Sequence, residues 1–107
     1  MKINQKQYIN SGETEANSSR VFILYRPNSE YARSVEEFTQ NFKRIYPERS
    51  VLLTDIDSTE GVRLAELYDI LEYPAVLVVA IDGSMLNYWT GSPLPLADDV
   101  AGFMLGQ

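Results

Sequence analysis

Apolar and polar residues follow one another along the chain in patterns that predict seven secondary-structure elements. The first pattern is "RVFILYR", Arg20 to Arg26, an apolar run between two arginines that is rich in β-forming residues. Such a run is typical of a strand covered on both faces. Pro27 and Asn28 end the run, and Ser29 is a good N-cap, because its hydroxyl can accept a hydrogen bond from a free N–H group of the first helical turn. The pattern predicts a buried strand that leads directly into a helix.

The segment from Tyr31 to Tyr46 has the spacing of one helix face. Its apolar residues recur at steps of four, three, four and three, and they are Tyr31, Val35, Phe38, Phe42 and Ile45. Charged and polar residues fill most of the positions between them, and Pro47 follows as a terminator. This pattern predicts an amphipathic helix packed on the strand before it.

The rest of the chain predicts three more strands and two more helices. They are a strand over Ser50 to Asp57, a helix capped by Ser58 or Thr59 and ending near Ile70, strands over Ala75 to Ile81 and Met85 to Thr90, and a helix over Leu96 to Leu105. Asp82-Gly83 is a tight-turn signal, so it is expected to join the last two strands as a hairpin. The inward faces of these helices are predicted to be Val62, Leu64, Ala65, Leu67 and Tyr68 in the first, and Leu96, Val100, Phe103 and Met104 in the second.

This order of elements indicates the fold class. The strand–helix–strand unit should close into a parallel pair through a right-handed crossover, and the hairpin should add two antiparallel strands. We therefore expect an α/β fold, a three-layer α/β/α sandwich whose central mixed sheet of four strands, or five, is flanked by helices. Residues 1–19 are polar and are expected to be a tail or a short edge strand over Gln7 to Asn10, so the folded domain is expected over residues 20–107.

The chain contains no cysteine and no histidine. Disulfide bonds, thiolate chemistry and catalysis by imidazole are therefore excluded by absent atoms. Asp55 and Asp57 lie two residues apart on a predicted strand, but without histidine or a third carboxylate nearby in the sequence they do not predict a metal site. We predict no catalytic residue, no cofactor and no metal.

The net charge of −6 is unevenly distributed along the chain. Residues 1–50 carry eight basic and six acidic side chains, whereas residues 51–107 carry one arginine and nine acidic side chains. An acidic surface repels nucleic-acid phosphates and anionic lipid, so we expect no binding to nucleic acid or membrane, and a basic patch on a partner would suit it better. The charge could also serve only to keep the protein soluble. The N-terminus lacks the apolar stretch of a signal peptide, so a cytoplasmic location is expected.

Four motifs between Arg20 and Leu105 resemble, in order, those of the thioredoxin superfamily. "FILYRPNSEYA" resembles the strand that leads into the active-site loop, and "TDIDS" resembles the end of the next strand. "YDILEYPAVLVV" resembles the segment that carries the cis-proline of the family, which would be Pro74. "DGSMLNYWTG" resembles the hairpin that ends in a family glycine, which would be Gly91. The resemblance implies a thioredoxin-like domain over residues 20–107.

The resemblance places Ser29, Glu30, Tyr31 and Ala32 where the family has its Cys-x-x-Cys motif. Ser29 and Ala32 replace the two cysteines, and Ile23 stands where many members bury an acidic residue. An alcohol does not undergo thiol–disulfide exchange, so a serine cannot take over the reaction. The resemblance therefore implies a degenerate active-site loop in a redox-inactive protein that we do not expect to be an enzyme.

In the family, the edge beside the cis-proline binds an extended stretch of substrate polypeptide. The resemblance thus implies a peptide-binding surface, and its predicted residues are Tyr25, Pro27, Tyr31, Tyr73 and Pro74. Unpaired backbone groups favour the addition of a strand, and exposed aromatic side chains are enriched at binding hot spots. Such a surface would keep its ability to bind after the loss of its thiols.

Each of these residues also has a purely structural interpretation. Ser29 would be only an N-cap, Tyr31 would begin the apolar face of its helix, and Pro74 would only fix the turn before a buried strand. Tyr88 and Trp89 are adjacent on a predicted strand and alternate faces, so one of them is expected to be exposed on the sheet or covered by the final helix, and for either a packing role is favoured over a ligand role.

Three functions remain open at this point. The favoured one is a binding module for another polypeptide, such as an assembly factor, chaperone or adaptor, with Arg26 and Arg33 available to acidic groups of the ligand. The second is a structural subunit, or the building block of a homodimer formed on an exposed sheet edge. The third and least favoured is a small glutathione-binding enzyme that uses Ser29, although 107 residues leave no room for the helical domain that such enzymes carry.

Overall fold

Four strands and three helices make up residues 19–104, the part of the chain that the computed structural model describes. In chain order they are β1 (Arg20–Tyr25), α1 (Ala32–Ile45), β2 (Ser50–Asp55), α2 (Thr59–Tyr68), β3 (Ala75–Val79), β4 (Met85–Thr90) and α3 (Ala97–Met104). The predicted order of elements is confirmed, whereas the short strand considered over Gln7 to Asn10 lies outside the described residues. None of these three helices has the length and apolar character needed to cross a lipid bilayer.

The four strands form one mixed sheet in the order β2–β1–β3–β4. β1 runs parallel to β2, with Phe22 opposite Leu52, and antiparallel to β3, with Ile23 opposite Val76. β4 pairs antiparallel with β3, and the register shifts between Val78 and Val79. The mixed four-stranded sheet predicted from the sequence is confirmed.

Helices cover both faces of this sheet, so the molecule has three layers. Side chains alternate along β1, and Val21, Ile23 and Tyr25 pack in the core under α1 and α3. Phe22 and Leu24 pack in the opposite core, under α2. All five side chains are buried. The α/β/α sandwich is therefore confirmed, with β1 covered on both faces.

Helix α1 packs on its face of the sheet through Val35, Phe38 and Phe42, as its periodicity predicts. Ile45, the last residue of the helix, completes the predicted apolar face but is exposed. The helical pattern thus identified the packed face correctly and overestimated its length.

The chain beyond α1 is joined to α3 by polar contacts. The Tyr46 hydroxyl donates a hydrogen bond to the Asp98 carboxylate, and this bond is the main reason why the pKa of Tyr46 is raised. The Arg49 guanidinium lies over the Tyr46 ring, 4.8 Å from its centroid, and donates to the carbonyl oxygen of Ala101 at 3.1 Å. These contacts align the two helices that cover the same core.

Helix α2 approaches the end of β2 very closely. Ser58 is its N-cap, and the Ser58 hydroxyl oxygen accepts from the N–H of Gly61 at 3.0 Å and donates to the carbonyl oxygen of Asp55 at 2.6 Å. A Cβ atom on Gly61 would lie 2.1 Å from that same carbonyl oxygen, so only glycine fits there. The predicted serine cap is confirmed, and the cap and the glycine together set the tight strand-to-helix turn.

The inward face of α2 is narrower than predicted. Gly61 and Leu64 are buried, and Tyr68 packs against the same core. Val62 and Leu67 are exposed, so their prediction as inward residues is wrong. At 3.6 residues per turn, both lie about 100° or more away from the line through Gly61, Leu64 and Tyr68, which the close approach at Gly61 turns toward the sheet.

Helix α3 and strand β4 pack through fewer residues than predicted. Val100 is buried as predicted, whereas Leu96 is exposed because it precedes the first helical residue. Phe103 is exposed, so its prediction as an inward residue is wrong, although its ring meets the Trp89 ring edge-on with centroids 5.7 Å apart. Of the two neighbouring aromatic residues of β4, Tyr88 is exposed and Trp89 packs against the core under α1 and α3.

Ser19 is joined to the folded domain although its sequence context is polar. It is buried, and its hydroxyl donates to the carbonyl oxygen of Met104 at 2.9 Å. The residue before β1 is therefore held against the end of α3.

Replacing Leu24 with alanine tests how far the fold depends on β1. Leu24 is fully buried, so the substitution removes apolar contacts and leaves a cavity; we expect the free energy of unfolding to fall by about 2–5 kcal/mol. Denaturant titration measures the change. The control is Leu71→Ala at a leucine that is 85% exposed, where we expect a change below about 0.5 kcal/mol. Equal, small effects of the two substitutions would contradict the central role of β1.

Candidate functional site

Two strands end and a third begins at the same end of the sheet. Tyr25, the last residue of β1, is opposite Asp55, the last residue of β2, and Leu24 is opposite Ala75, the first residue of β3. The loops that follow β1 and β2 and the corner that precedes β3 are therefore neighbours. We call the surface they form the end site, and it consists of residues 26–31, 56–58 and 73–74.

The loop from Arg26 to Tyr31 is held by its own groups. The N–H of Arg26 donates to the hydroxyl oxygen of Tyr31 at 3.1 Å, and the Ser29 hydroxyl donates to the carbonyl oxygen of Arg26 at 2.6 Å. Asn28 has a φ of 70°, a left-handed conformation in which asparagine is enriched. The shape of the loop therefore comes from hydrogen bonds and turn chemistry, and no sulfur atom is involved.

Ser29 is not the N-cap of α1, so that prediction is wrong. The helix begins at Ala32, and its cap position is Tyr31, whose side chain makes no capping hydrogen bond. The Ser29 hydroxyl is occupied as a donor within the loop, and the Ser29 carbonyl oxygen accepts from the N–H of Ala32 at 3.2 Å. The chain completes this turn first, so the helix begins at Ala32 instead of directly after Ser29.

Tyr25 and Pro74 are buried, so their side chains do not line the surface of the end site. Tyr25 is 8% exposed and belongs to the core under α1. Burial raises the pKa of its hydroxyl, and the negative charges of Glu36 and Asp55 add to the effect. Of the predicted peptide-binding residues, Tyr25 and Pro74 therefore have side chains that lie beneath the surface of the end site and cannot contact a ligand there.

Tyr31, Tyr73 and Pro27 remain partly exposed. Tyr31 packs against the core under α1, and Tyr73 packs against the opposite core while its hydroxyl donates to the carbonyl oxygen of Ile70 at 3.2 Å. Each tyrosine is thus anchored by one side and open on the other. A ligand at the end site would meet rings whose positions are already fixed.

The corner before β3 is tied to the end of β4. The Tyr73–Pro74 peptide bond is cis, and the carbonyl oxygen of Pro74 accepts from the N–H of Gly91 at 2.8 Å. The Thr90 hydroxyl donates to the Glu72 carboxylate at 3.0 Å. Within residues 19–104, the backbone N–H and C=O of Tyr73 make no hydrogen bond. Among residues 19–104, one backbone donor and one backbone acceptor at this corner therefore have no partner.

An ion pair bridges the loops that follow β1 and β2. Nη1 of Arg26 lies 2.7 Å from Oδ2 of Asp57, and both side chains are more than half exposed. The Asp55 carboxylate accepts from the N–H of Asp57 at 2.8 Å, which fixes the second loop. The sequence did not predict this ion pair, although Asp57 belongs to the motif "TDIDS". Arg26 is consequently occupied, and Arg33, which is exposed on α1, is the more accessible of the two predicted cations.

The chemistry open to the end site is limited by the residues present. The chain has no cysteine, so thiol–disulfide exchange has no nucleophile here. Among residues 19–104 no cluster of three or more metal-binding side chains occurs. What the site does offer is two anchored aromatic rings, a backbone donor and acceptor that have no partner in the described part of the chain, and an ion pair at its rim.

Alanine substitutions at Ser58 and Ser29 test the two roles assigned to these serines. Ser58→Ala removes the N-cap of α2, so we expect the free energy of unfolding to fall by about 1 kcal/mol. Ser29→Ala removes one exposed hydrogen bond within a loop and caps no helix, so its cost should be smaller. Denaturant titration of both variants gives the order, and a larger loss at Ser29 would restore the N-cap assignment.

Tyr25 makes stability sensitive to alkaline pH. The folded protein holds the pKa of this hydroxyl above the value of 10.0 expected for a free tyrosine, because burial disfavours the phenolate. The contribution of the neutral Tyr25 hydroxyl to the free energy of unfolding is therefore fully present below the pKa that Tyr25 has in the unfolded chain. It is lost as the pH rises through the pKa that Tyr25 has in the folded protein.

We expect Tyr25→Phe to flatten the fall of the unfolding free energy above pH ~10. Denaturant titrations at a series of alkaline pH values measure this slope. Tyr88→Phe, at an exposed tyrosine of β4, is the matched control and should leave it unchanged. If Tyr25→Phe shows the same slope as the unaltered chain, the raised pKa of Tyr25 is not the cause of the fall in the unfolding free energy.

Comparisons with known proteins point to one fold. The sequence matches no family model and no curated protein. Among solved structures, the germline-specific thioredoxin Deadhead from Drosophila melanogaster is 19% identical, with a TM-score of 0.64 over 88% of this chain and 85% of that one. An uncharacterised thioredoxin-like protein from Clostridium perfringens is 10% identical, with a TM-score of 0.68 over 84% of this chain and 71% of that one.

Oxidised thioredoxin O2 from Arabidopsis thaliana is 14% identical, with a TM-score of 0.63 over 82% of this chain and 73% of that one. Identities this low show a shared fold and carry no activity across. The TM-scores show that the arrangement of strands and helices is shared with these structures. The chain has a thioredoxin-like fold and contains no cysteine.

Proposed function

We propose that this protein is a redox-inactive binding module that holds an extended segment of another polypeptide at the end site. The observation that carries the proposal is that the backbone N–H and C=O of Tyr73 make no hydrogen bond within residues 19–104, next to a tyrosine ring that is anchored against the core. An extended peptide can satisfy such groups by adding as a short strand. Binding of this kind needs no thiol.

The residues around Tyr73 suit such a ligand. Tyr31 and Tyr73 are each fixed against a core, so ordering their rings on binding costs little conformational entropy. Tyrosine is enriched among the residues that dominate binding free energies. Arg33 provides an exposed positive charge on α1 that can pair with an acidic group of the ligand.

The proposed biological role is that of an assembly factor, chaperone or adaptor rather than an enzyme. The acidic balance of residues 51–107 favours a partner that carries basic groups near the bound segment. The glutathione-binding alternative loses support, because the Ser29 hydroxyl is engaged with the Arg26 carbonyl oxygen and Ser29 does not begin the helix. We therefore expect ~1 mM glutathione to leave the melting temperature unchanged in a thermal-shift measurement. A ligand that bound the folded protein with a Kd of about 1 mM or below would raise it.

Selection from a library of unstructured peptides tests the proposal directly. A selected peptide is expected to bind the full chain, and Tyr31→Ala and Tyr73→Ala should each weaken its affinity by about tenfold or more, as expected for hot-spot tyrosines. Titration calorimetry measures the affinity, and Tyr88→Ala, at an exposed tyrosine of β4, is the matched control that should bind normally.

Tyr31→Phe separates direct contact from support of the loop. It keeps the ring and removes only the acceptor of the Arg26 N–H, so it should bind more tightly than Tyr31→Ala. The proposal is wrong if no peptide is selected, or if the selected peptides bind the alanine variants as tightly as the unaltered chain.

A further inference from the structure

The ion pair between Arg26 and Asp57 borders the corner at Tyr73. β1 and β3 pair antiparallel, with Leu24 opposite Ala75. Continuing this register by two residues brings the chain at Arg26 beside Tyr73. From there, Nη1 of Arg26 contacts Oδ2 of Asp57 at 2.7 Å, in the loop that follows β2. A polypeptide segment bound at Tyr73 would therefore lie next to this ion pair.

The two loops stay joined when this ion pair opens. The N–H of Ile56 donates to the carbonyl oxygen of Tyr25 at 3.0 Å, which links the loop after β2 directly to the end of β1. The carbonyl oxygen of Asp55 accepts from the N–H of Ser58 at 3.0 Å, and its carboxylate accepts from the N–H of Asp57 at 2.8 Å. These bonds hold the backbone of Asp57 whatever its carboxylate binds. The carboxylate can therefore change its partner without a change in the shape of the loops.

The contact between Arg26 and Asp57 is of a kind that exchanges readily. The two side chains are 53% and 67% exposed, and a single hydrogen bond joins them. Exposed ion pairs are weak, because water and salt screen them and two flexible side chains must be ordered to form them. A guanidinium or ammonium group of a ligand can therefore replace Arg26 at the Asp57 carboxylate.

The charges around the ion pair favour a basic ligand. Within the described residues, four acidic side chains and one basic side chain lie in the end site or directly next to it in sequence, and they are Glu30, Asp55, Asp57, Glu72 and Arg26. The next residues outward add one charge of each sign, Arg33 and Glu60. Residues 1–18 carry two lysines and two glutamates, so they add no net side-chain charge. The local field thus attracts cationic side chains and repels acidic ones.

We propose that Arg26 holds the place of a basic side chain of the bound polypeptide. In the protein without ligand, Arg26 compensates the charge of Asp57; on binding, a lysine or arginine of the extended segment replaces it at that carboxylate. The exchange rests on the proposed function, because the segment must first be held at Tyr73. It identifies the ligand class as extended segments that carry lysine or arginine close to the residue paired with Tyr73.

The spacing of the strands agrees with a long basic side chain. β2 and β3 lie on the two sides of β1, and neighbouring strands are about 4.8 Å apart, so Asp57 lies about 10 Å from the chain at Tyr73. The long aliphatic stems of lysine and arginine can span this distance while their charged groups stay at the surface. Shorter polar side chains cannot reach the carboxylate from a segment bound at Tyr73.

The two partners of the ion pair should affect binding in opposite directions. Asp57→Asn removes the acceptor of the ligand cation, so we expect it to weaken the affinity for a basic peptide by about fivefold, the contribution of an exposed ion pair. Arg26→Gln removes the competing cation, so we expect it to strengthen the affinity by about twofold or more. If the pair served only to support the loops, both substitutions would weaken binding.

Peptides selected from an unstructured library on the full chain provide the probe. They are expected to be enriched in lysine and arginine over aspartate and glutamate. Titration calorimetry of one selected peptide, and of the same peptide with its basic residue replaced by glutamine, completes a double-mutant cycle with Asp57→Asn and Arg26→Gln. The glutamine peptide should bind both variants as it binds the unaltered chain.

Two further variants serve as controls. Asp82→Asn removes the same charge in the turn after β3, and β3 ends opposite the first residue of β1, at the other end of the sheet from the end site; it should leave the preference for the basic peptide unchanged. Asp57→Glu keeps a carboxylate and should retain the preference. Circular dichroism establishes that each variant is folded.

The outcomes separate this exchange from peptide binding as such. If Tyr73→Ala weakens the selected peptides but Asp57→Asn leaves the preference for a basic residue unchanged, the exchange is wrong and the proposed function stands. The same conclusion follows if Arg26→Gln and Asp57→Asn both weaken binding, or if the selected peptides contain no excess of basic residues. A library from which no peptide is selected overturns both.

Discussion

The burial of β1 on both faces is the constraint on which the rest of the structure depends. Its alternating side chains enter two separate cores, one under α1 and α3 and one under α2. Its two neighbours in the sheet run in opposite directions, so the end of β1 meets the end of β2 and the start of β3. Because closely packed interiors transmit displacement, the two cores and the end site are mechanically linked through this one strand.

The end site keeps its shape by means that are independent of sulfur chemistry. The Tyr31 hydroxyl closes the loop after β1, the pair of Arg26 and Asp57 bridges the two loops, and the N–H of Gly91 holds the corner at Pro74. In a thiol oxidoreductase the cysteines perform the exchange reaction. A surface held in this way can lose its reaction and still present backbone groups and aromatic rings to a polypeptide. This is why binding, rather than catalysis, is the function that we propose.

The sequence by itself determined the order of the elements, the buried nature of β1, the packed face of α1, the Asp82-Gly83 hairpin and the cap at Ser58, because periodicity and turn chemistry are local properties. The resemblance in its motifs also indicated which segments would meet at the end site. Only the tertiary structure decided that Ser29 closes a loop instead of capping a helix, that Leu67 is exposed, and that Arg26 pairs with Asp57. The pairing of Arg26 and the exposure of Leu67 depend on a group distant in the sequence and on how closely one layer approaches another, and neither is encoded in the spacing of residues along the chain. The bond from Ser29 to Arg26 is local, but a serine between a strand and a helix suits a loop bond as well as an N-cap, so the spacing does not decide between them.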